Sequence, residues 1–404
     1  MTLLPVAEAK ARLLSRTQPV AETEMLSLDE AGGRVLADAL AARLTQPPFD
    51  ASAMDGYAVR TDDVPDIGAQ LSVIGTAAAG HPYAGLVAEG EAVRIFTGAP
   101  VPEGADAIII QEDVEQTEGS RIRTNAAVTK GRHIRPCGQD FREGEIVLDG
   151  GTILDYSHLT VAAAMNHPSL PVYRRPKVAV LATGDELLAP GSTPAAGQII
   201  ASNTFGVAAL IRDNGGQVLD LGIVPDNHTA IRDAIDLASR SDVDVLVTLG
   251  GASVGDHDLV QSTLKAVGME LDFWRIAMRP GKPLMVGSLG RMQVLGLPGN
   301  PVASLVCSLL FLEPLVRMLA RLPEKSREAQ AVAAHDLPAN DKRQDYLRAT
   351  LVRDREGNLR AEAFQKQDSS MMKILARSDA LIIRPPHAPL LPAGAPCPVL
   401  LLRH

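Results

Sequence analysis

Four turns interrupt the stretch from Lys177 to Leu319: Thr183-Gly184-Asp185-Glu186-Leu187, Pro225-Asp226-Asn227, the run Gly250-Gly251-Ala252-Ser253-Val254-Gly255-Asp256-His257-Asp258, and Leu297-Pro298-Gly299-Asn300-Pro301. Each follows a short run rich in β-branched residues: Val178 to Leu181, Val218 to Ile223, Val243 to Leu249 and Val294 to Leu297. Helical patterns alternate with these runs, the spacing of a parallel sheet wrapped by helices. In such a sheet the turns at the carboxyl ends of the strands form one crevice, and ligands bind there. Carboxylates and bare backbone N–H groups are therefore expected to converge. Gly250 and Gly251 let the backbone approach an anion. Asp226 stands where a helix N-cap belongs, and Asn300-Pro301 reads as a cap followed by proline at the first helical position.

Composition limits the alternatives. A chain of 404 residues is too long for a single core and divides into several domains. Aromatic residues are only 3% and the formal net charge is −9, which opposes both base stacking and non-specific nucleic-acid binding. Cys137, Cys307 and Cys397 are widely spaced, so neither a zinc site nor a disulfide framework is indicated, and Cys307 reads as a small core residue. The amino terminus lacks the order of a signal peptide. The apolar run from Val302 to Ala320 carries Glu313, Pro314 and Arg317, which argues against a membrane span. A cytoplasmic protein is expected.

Outside the central stretch the pattern changes several times. Helical patterns are expected around Val6 to Leu14 and from Leu28 to Leu40, the latter broken by Gly32-Gly33. Pro47-Pro48 ends any helix, and short strands separated by glycine and proline run to about Asp140. A helix is expected over Ser157 to Met165, and strands over Tyr346 to Val352, Leu381 to Arg384 and Val399 to Leu402. The resulting division is 1–46 with 141–175 as a mixed linker domain, 47–140 as an inserted β-rich domain, 176–322 as the α/β domain, and 323–404 as a C-terminal β domain.

No serine or cysteine nucleophile is apparent, because Ser253 has no patterned base beside it. Arg279-Pro280-Gly281-Lys282-Pro283 is not a P-loop, since proline follows the lysine. A lone His257 does not make a transition-metal site. Hard oxygen chemistry fits better: Mg²⁺ takes one or two carboxylates plus waters and substrate phosphates, and Glu186, Asp226 and Asp258 stand at three strand ends. Arg275, Arg279 and Lys282 share one segment and are candidates for neutralising a phosphate or oxyanion. The basic segment Lys130 to Arg135 reads equally well as a solvated face or an anion-contacting loop.

These turns resemble those of the molybdopterin molybdenumtransferases, the MoeA and gephyrin E-domain family. The stretches Pro47 to Arg60, containing Met54-Asp55-Gly56-Tyr57-Ala58, and Ile95 to Asp113, containing Thr97-Gly98-Ala99-Pro100, are similar to two further motifs of that family. The resemblance covers nearly the whole chain in order. It implies a MogA/MoaB-like central domain, a small β-barrel-like C-terminal domain, and a homodimer whose inserted domain reaches the partner subunit. The implied activity is Mg²⁺-dependent insertion of molybdate into adenylylated molybdopterin, with release of AMP. The implied site residues are Asp55, Thr97, Asp140, Glu186, Asp226, Asp258, Arg275, Arg279, Pro298, Pro301 and Ser369, with Gly250, Gly251, Ser253, Lys282 and Arg348 as further substrate contacts. Three departures stand out: Gln139 replaces a glutamate, Arg275 and Arg279 replace lysines, and Asp368-Ser369-Ser370 replaces Gly-Ser-Gly. Two other readings compete: a molybdopterin adenylyltransferase, a class that lacks the Asp55 and Thr97 segments, and a non-catalytic binding scaffold. Adenylyltransferase and molybdoenzyme-maturation proteins are the expected protein partners; nucleic acid and membrane are not.

Overall fold

The computed structural model describes residues 3–250 and 259–403. The chain forms two compact units, one of Met1–Glu24 with Tyr173–His404 and the other of Met25–Val172.

The first unit is built on a six-stranded sheet. Its strands and helices are β1 (Lys177–Thr183), α1 (Asn203–Asp213), β2 (Gln217–Val224), α2 (His228–Arg240), β3 (Val245–Leu249), α3 (Leu259–Ala266), β4 (Glu270–Trp274), β5 (Met285–Leu289), β6 (Met292–Leu297) and α4 (Pro301–Cys307). The strand order is β2-β1-β3-β6-β5-β4. The first four strands are parallel; β5 and β4 add in antiparallel fashion through a tight β5–β6 connection. The near-continuous apolar composition of the central strands follows from burial on both faces. Val178, Val180 and Ala182 of β1 face one core, and Ala179 and Leu181 face the other. The helix Val6–Ser15 lays Val6, Ala9 and Leu13 on the first of these cores. Cys307 is fully buried there. The helical run Pro301–Leu319 is long and apolar enough to cross a membrane, but two-thirds of it is buried within the protein.

The same unit ends in a closed five-stranded barrel of Glu328–Ala333, Gln344–Arg353, Leu359–Ala363, Ala380–Arg384 and Pro396–Leu401. Alanines fill much of its interior, namely Ala331, Ala333, Ala349, Ala361 and Ala380. Small side chains suit so narrow a barrel. Arg327, just before the barrel, forms a two-pronged ion pair with buried Glu313 at 2.6 Å through each nitrogen, tying barrel to helix.

The second unit contains a six-stranded sheet in the order Ala107–Ile110, Gly56–Val59, Glu91–Ile95, Gln70–Ala77, Arg121–Thr124, Val114–Thr117. A separate core gathers Leu36, Leu40, Phe141, Leu148, Leu154, Met165 and Leu170. The expected helix near Ser157 is present as Tyr156–Ala164, capped by Asp155. The expected helix from Leu28 to Leu40 is not. Gly33 adopts φ +72°, and Val35 and Leu36 instead make antiparallel bridges to Ile153 and Val172. The apolar spacing there serves a core lined by irregular chain, and the two glycines remove helix propensity.

Gly56 sits in the inserted sheet where any side chain would strike the neighbouring strand. It lies in a strand flanked on both sides, and a Cβ on it would fall 1.9 Å from the Ile109 carbonyl oxygen. Gly56→Ala is expected to destabilise the protein by about 3 kcal/mol, the upper range for an overpacked site. Denaturant unfolding of the purified variant measures this; a change within about 0.5 kcal/mol, typical of a free surface position, would contradict the packing.

Candidate functional site

The carboxyl ends of β1, β2, β3 and β6 surround a cavity of about 930 Å³. Glu186, Asp226, Gly250, Pro298 and Pro301 line it, so five of the residues singled out in the sequence meet in one place. Gly251, Ser253 and Asp258 lie outside the described residues, as does His257.

The turn after β1 is shaped by Gly184. A Cβ there would fall 2.5 Å from Glu186 Oε2, and its φ of +151° disfavours any side chain. The missing side chain makes room for the Glu186 carboxylate to fold back over the turn. Beside it, Asp185 Oδ1 accepts the backbone N–H of Asp226 at 3.0 Å, joining the ends of β1 and β2. Sequence reading passed over Asp185, although it occupies the same turn as Glu186.

Asp226 carries the electrostatic signature of this corner. Partial desolvation, then the negative charge of Asp185, then that of Glu186, hold its carboxyl above the ordinary range. Contrary to expectation, it is not the cap of α2. Asn227 is, its side chain accepting the Ala230 N–H at 2.8 Å. That correction frees the Asp226 carboxylate for a ligand. Among the described residues no three-ligand metal cluster is complete. The mutual repulsion of three acids nevertheless fits a bound cation, since a divalent ion would relieve it.

The fourth turn also differs from expectation. Asn300 occupies the N-cap position of α4 and Pro301 the first turn, but the asparagine side chain makes no capping bond. Its Nδ2 donates instead to Ser369 Oγ at 3.0 Å. Ser369, from the chain following the barrel strand Leu359–Ala363, therefore reaches the crevice edge, and its neighbour Ser370 lines the cavity with Met372. Pro283 of the Arg279–Pro283 segment also lines it. The side chains before it are otherwise engaged. Arg279 pairs with Asp345, and lies 3.7 Å from Asp341. Arg275 stacks its guanidinium over the Trp274 ring at 4.1 Å. Lys282 is exposed and has no acidic partner among the described residues.

Arg348 is 1% exposed, yet meets only neutral acceptors: Gln367 Oε1 at 3.0 Å and the Asp368 carbonyl at 3.0 Å. Its Nη2 has no hydrogen-bond partner, and burial lowers its pKa. Apart from the charge of the Asp368 carboxylate, which it does not hydrogen-bond, this cation is compensated only by neutral dipoles. The Asp368 carboxylate is turned away onto Ser370, accepting its N–H at 2.8 Å and its hydroxyl at 2.6 Å.

In the second unit Asp55 Oδ1 accepts both the backbone N–H and the hydroxyl of Thr97, each at 2.8 Å. The backbone donor, then the hydroxyl, hold this exposed carboxyl below its ordinary pKa, with Arg94 adding a weaker pull. Asp140, with Gln139 and Arg135, lines a separate hollow of about 510 Å³ beside Pro47 and Gly98.

The chain is a multidomain protein whose central α/β domain carries an acid-rimmed crevice at the carboxyl ends of its parallel strands. Residues 4–166 match the model of the MoeA N-terminal region, 179–318 a probable molybdopterin binding domain, and 330–402 the MoeA C-terminal region. A molybdopterin molybdenumtransferase of Haemophilus influenzae is 35% identical over 94% of both chains, and that of Bacillus subtilis is 34% identical over 100% of this chain and 95% of its own. The structure of the molybdopterin biosynthesis MoeA protein from Pyrococcus horikoshii superposes with a TM-score of 0.84 at 29% identity, covering both chains fully. The chain belongs to the molybdopterin molybdenumtransferase family. It is a transferase of molybdenum cofactor biosynthesis.

Two titrations follow from these carboxylates. A raised folded pKa means that Asp226 holds its proton more readily in the folded than in the unfolded chain, so its contribution to stability is complete below the ordinary value of 3.8 and is lost as pH rises through the folded value. Metal-free Asp226→Asn should accordingly melt higher than wild type at neutral pH, with the advantage vanishing on acidification below that ordinary value. A melting advantage that grows on acidification would contradict the assignment. Asp55 behaves oppositely, stabilising above its ordinary pKa and losing that contribution as pH falls through the depressed value. In Thr97→Val, the Asp55 titration followed by NMR should move upward yet stay below ordinary, because the stronger backbone donor remains.

Proposed function

We propose that this enzyme carries out the Mg²⁺-dependent insertion of molybdate into adenylylated molybdopterin, with release of AMP. The observation that carries this reading is the pair Glu186 and Asp226 lining a cavity large enough for a pterin nucleotide, with Asp185 bonded behind Asp226. The close relationship to molybdenumtransferases supports it further.

In this reading Glu186 and Asp226 would hold the cation, with Asp258, which lies outside the described residues, as the third ligand that the family resemblance implies. Mg²⁺ when bound supplies charge neutralisation for the phosphoanhydride. The chain's own residues do the rest. Glycine-rich backbone at Gly250 and Gly299 lets a phosphate approach the strand ends, and the rigid prolines 298, 301 and 283 shape the wall around the pterin. Ser369, with Arg348 buried behind its loop, faces the tetrahedral oxyanion side, where orientation against two sulfurs is the main task. Arg275, Arg279 and Lys282 supply positive charge on the neighbouring segment. Arg279 would have to exchange its acidic partners Asp345 and Asp341 for an anion.

Asp55, Thr97 and Asp140 are read as contributions from a partner subunit, making a homodimer the working form. The pairing of Asp55 with Thr97 supports this, because an exposed carboxylate fixed by two donors is oriented for an external ligand. A reducing cytoplasm suits a dithiolene substrate and three free cysteines. A molybdopterin adenylyltransferase is then the natural supplier of substrate.

Purified protein incubated with adenylylated molybdopterin, molybdate and Mg²⁺ should release AMP in step with metal insertion, and chelation should stop both. Asp226→Asn should lower the rate at least a hundredfold, about 2.7 kcal/mol at the transition state. In a parallel reaction with ATP and unadenylylated molybdopterin, ATP consumption without AMP release from the adenylylated substrate would identify an adenylyltransferase, and binding without turnover in either reaction a scaffold; either result would overturn the proposal.

A further inference from the structure

The start of α4 is capped from outside its own segment. A helix-opening asparagine ordinarily uses Oδ1 to accept an N–H of the first turn, but Asn300 makes no such bond. The Val302 N–H donates instead to the Ser369 carbonyl at 3.1 Å. An orphan donor of the helix is thereby satisfied by the loop after the barrel strand, and the Asn300 side chain is released for another task. Its Nδ2 reaches Ser369 Oγ at 3.0 Å. An amide nitrogen can only donate, so the serine oxygen accepts, and its single proton remains to be given elsewhere. No acceptor for that proton is found among the described residues.

The loop is held from its other side as well. Arg348 grips the Asp368 carbonyl at 3.0 Å, and Ser370 occupies the Asp368 carboxylate. The acid beside Ser369 is therefore already satisfied and does not compete for the serine hydroxyl. Asn300 and Ser370 both line the cavity, placing Ser369 at its rim between sheet and barrel.

We propose that Asn300 is a positioning residue that makes Ser369 a one-way donor: by occupying the serine oxygen as an acceptor, it commits the hydroxyl proton to an oxyanion bound at the cavity rim. The proposal rests on the reading above, in which that oxyanion is molybdate. It also accounts for the chain's tolerance of Asp368 and Ser370 around the serine. Their mutual hydrogen bonds close the acid off.

The test is a double-mutant cycle on full-length enzyme, reading KM for molybdate separately from KM for adenylylated molybdopterin. Asn300→Ala should raise the molybdate KM about tenfold, the loss of one hydrogen bond to an anion, while leaving the pterin KM and the melting temperature nearly unchanged. Combined with Ser369→Ala it should be no worse than Ser369→Ala alone. Asn300→Asp, which remains a good helix cap but cannot donate, should also raise the molybdate KM; were the serine donating to the asparagine instead, the aspartate would preserve the bond. Additive effects in the cycle, or an unchanged molybdate KM in Asn300→Ala, would overturn the positioning role while leaving Ser369 as an oxyanion contact. A normal molybdate KM in Ser369→Ala would remove the oxyanion reading of that serine, and the proposal with it.

Discussion

Negative charge crowded at the ends of two neighbouring parallel strands is the constraint around which this molecule is arranged. Asp185 and Glu186 leave β1, Asp226 leaves β2, and the pairing of those strands fixes the acids side by side. Like charges at such spacing cost stability unless a cation or a proton intervenes. The fold keeps them there by burying the strands on both faces, so that the cost is borne by a core much larger than the site. An energetic burden of this kind is what a cation-assisted phosphoryl site requires.

The opposite side of the crevice has the complementary character. Arg348 is buried on the outer face of the barrel strand Gln344–Arg353, away from the interior lined by Leu347 and Ala349, and the loop it supports is stitched to the opening turn of α4 by Asn300 and Val302. Acidic strand ends and the barrel loop at Ser370 thus border a single cavity within one compact unit, with Arg348 buried behind that loop. A substrate with a phosphoanhydride at one end and an oxyanion acceptor at the other matches that polarity. The Glu313–Arg327 pair, buried where the barrel begins, fixes the barrel to the helical layer and so keeps the two sides in register.

Much of this was legible in the sequence because it rests on periodicity and on turns. β-branched runs marked β1, β2, β3 and β6, and the turns between them named Glu186, Asp226, Gly250, Pro298 and Pro301, all of which meet at the cavity. What escaped depended on side-chain direction. Asp226 and Asn227 are equally good caps by composition, and only backbone geometry assigned the role to Asn227. Asn300 looked like an ordinary cap, but the loop at Ser369, far away in sequence, displaced it. The false helix at Leu28 to Leu40 arose because core residues on irregular chain can mimic helical spacing, and Gly32-Gly33 was the contrary signal. Arg279 was read as free to meet a phosphate, yet Asp345 from the barrel holds it, a partner no local pattern discloses.

Anomalous diffraction from crystals grown with Mn²⁺ and molybdate would test the account most directly, since the two metals are told apart by their absorption edges. The account predicts manganese against Glu186 and Asp226, with molybdenum at the rim beside Ser369. Manganese bound away from those carboxylates, or molybdenum seated far from the Ser369 loop, would contradict it.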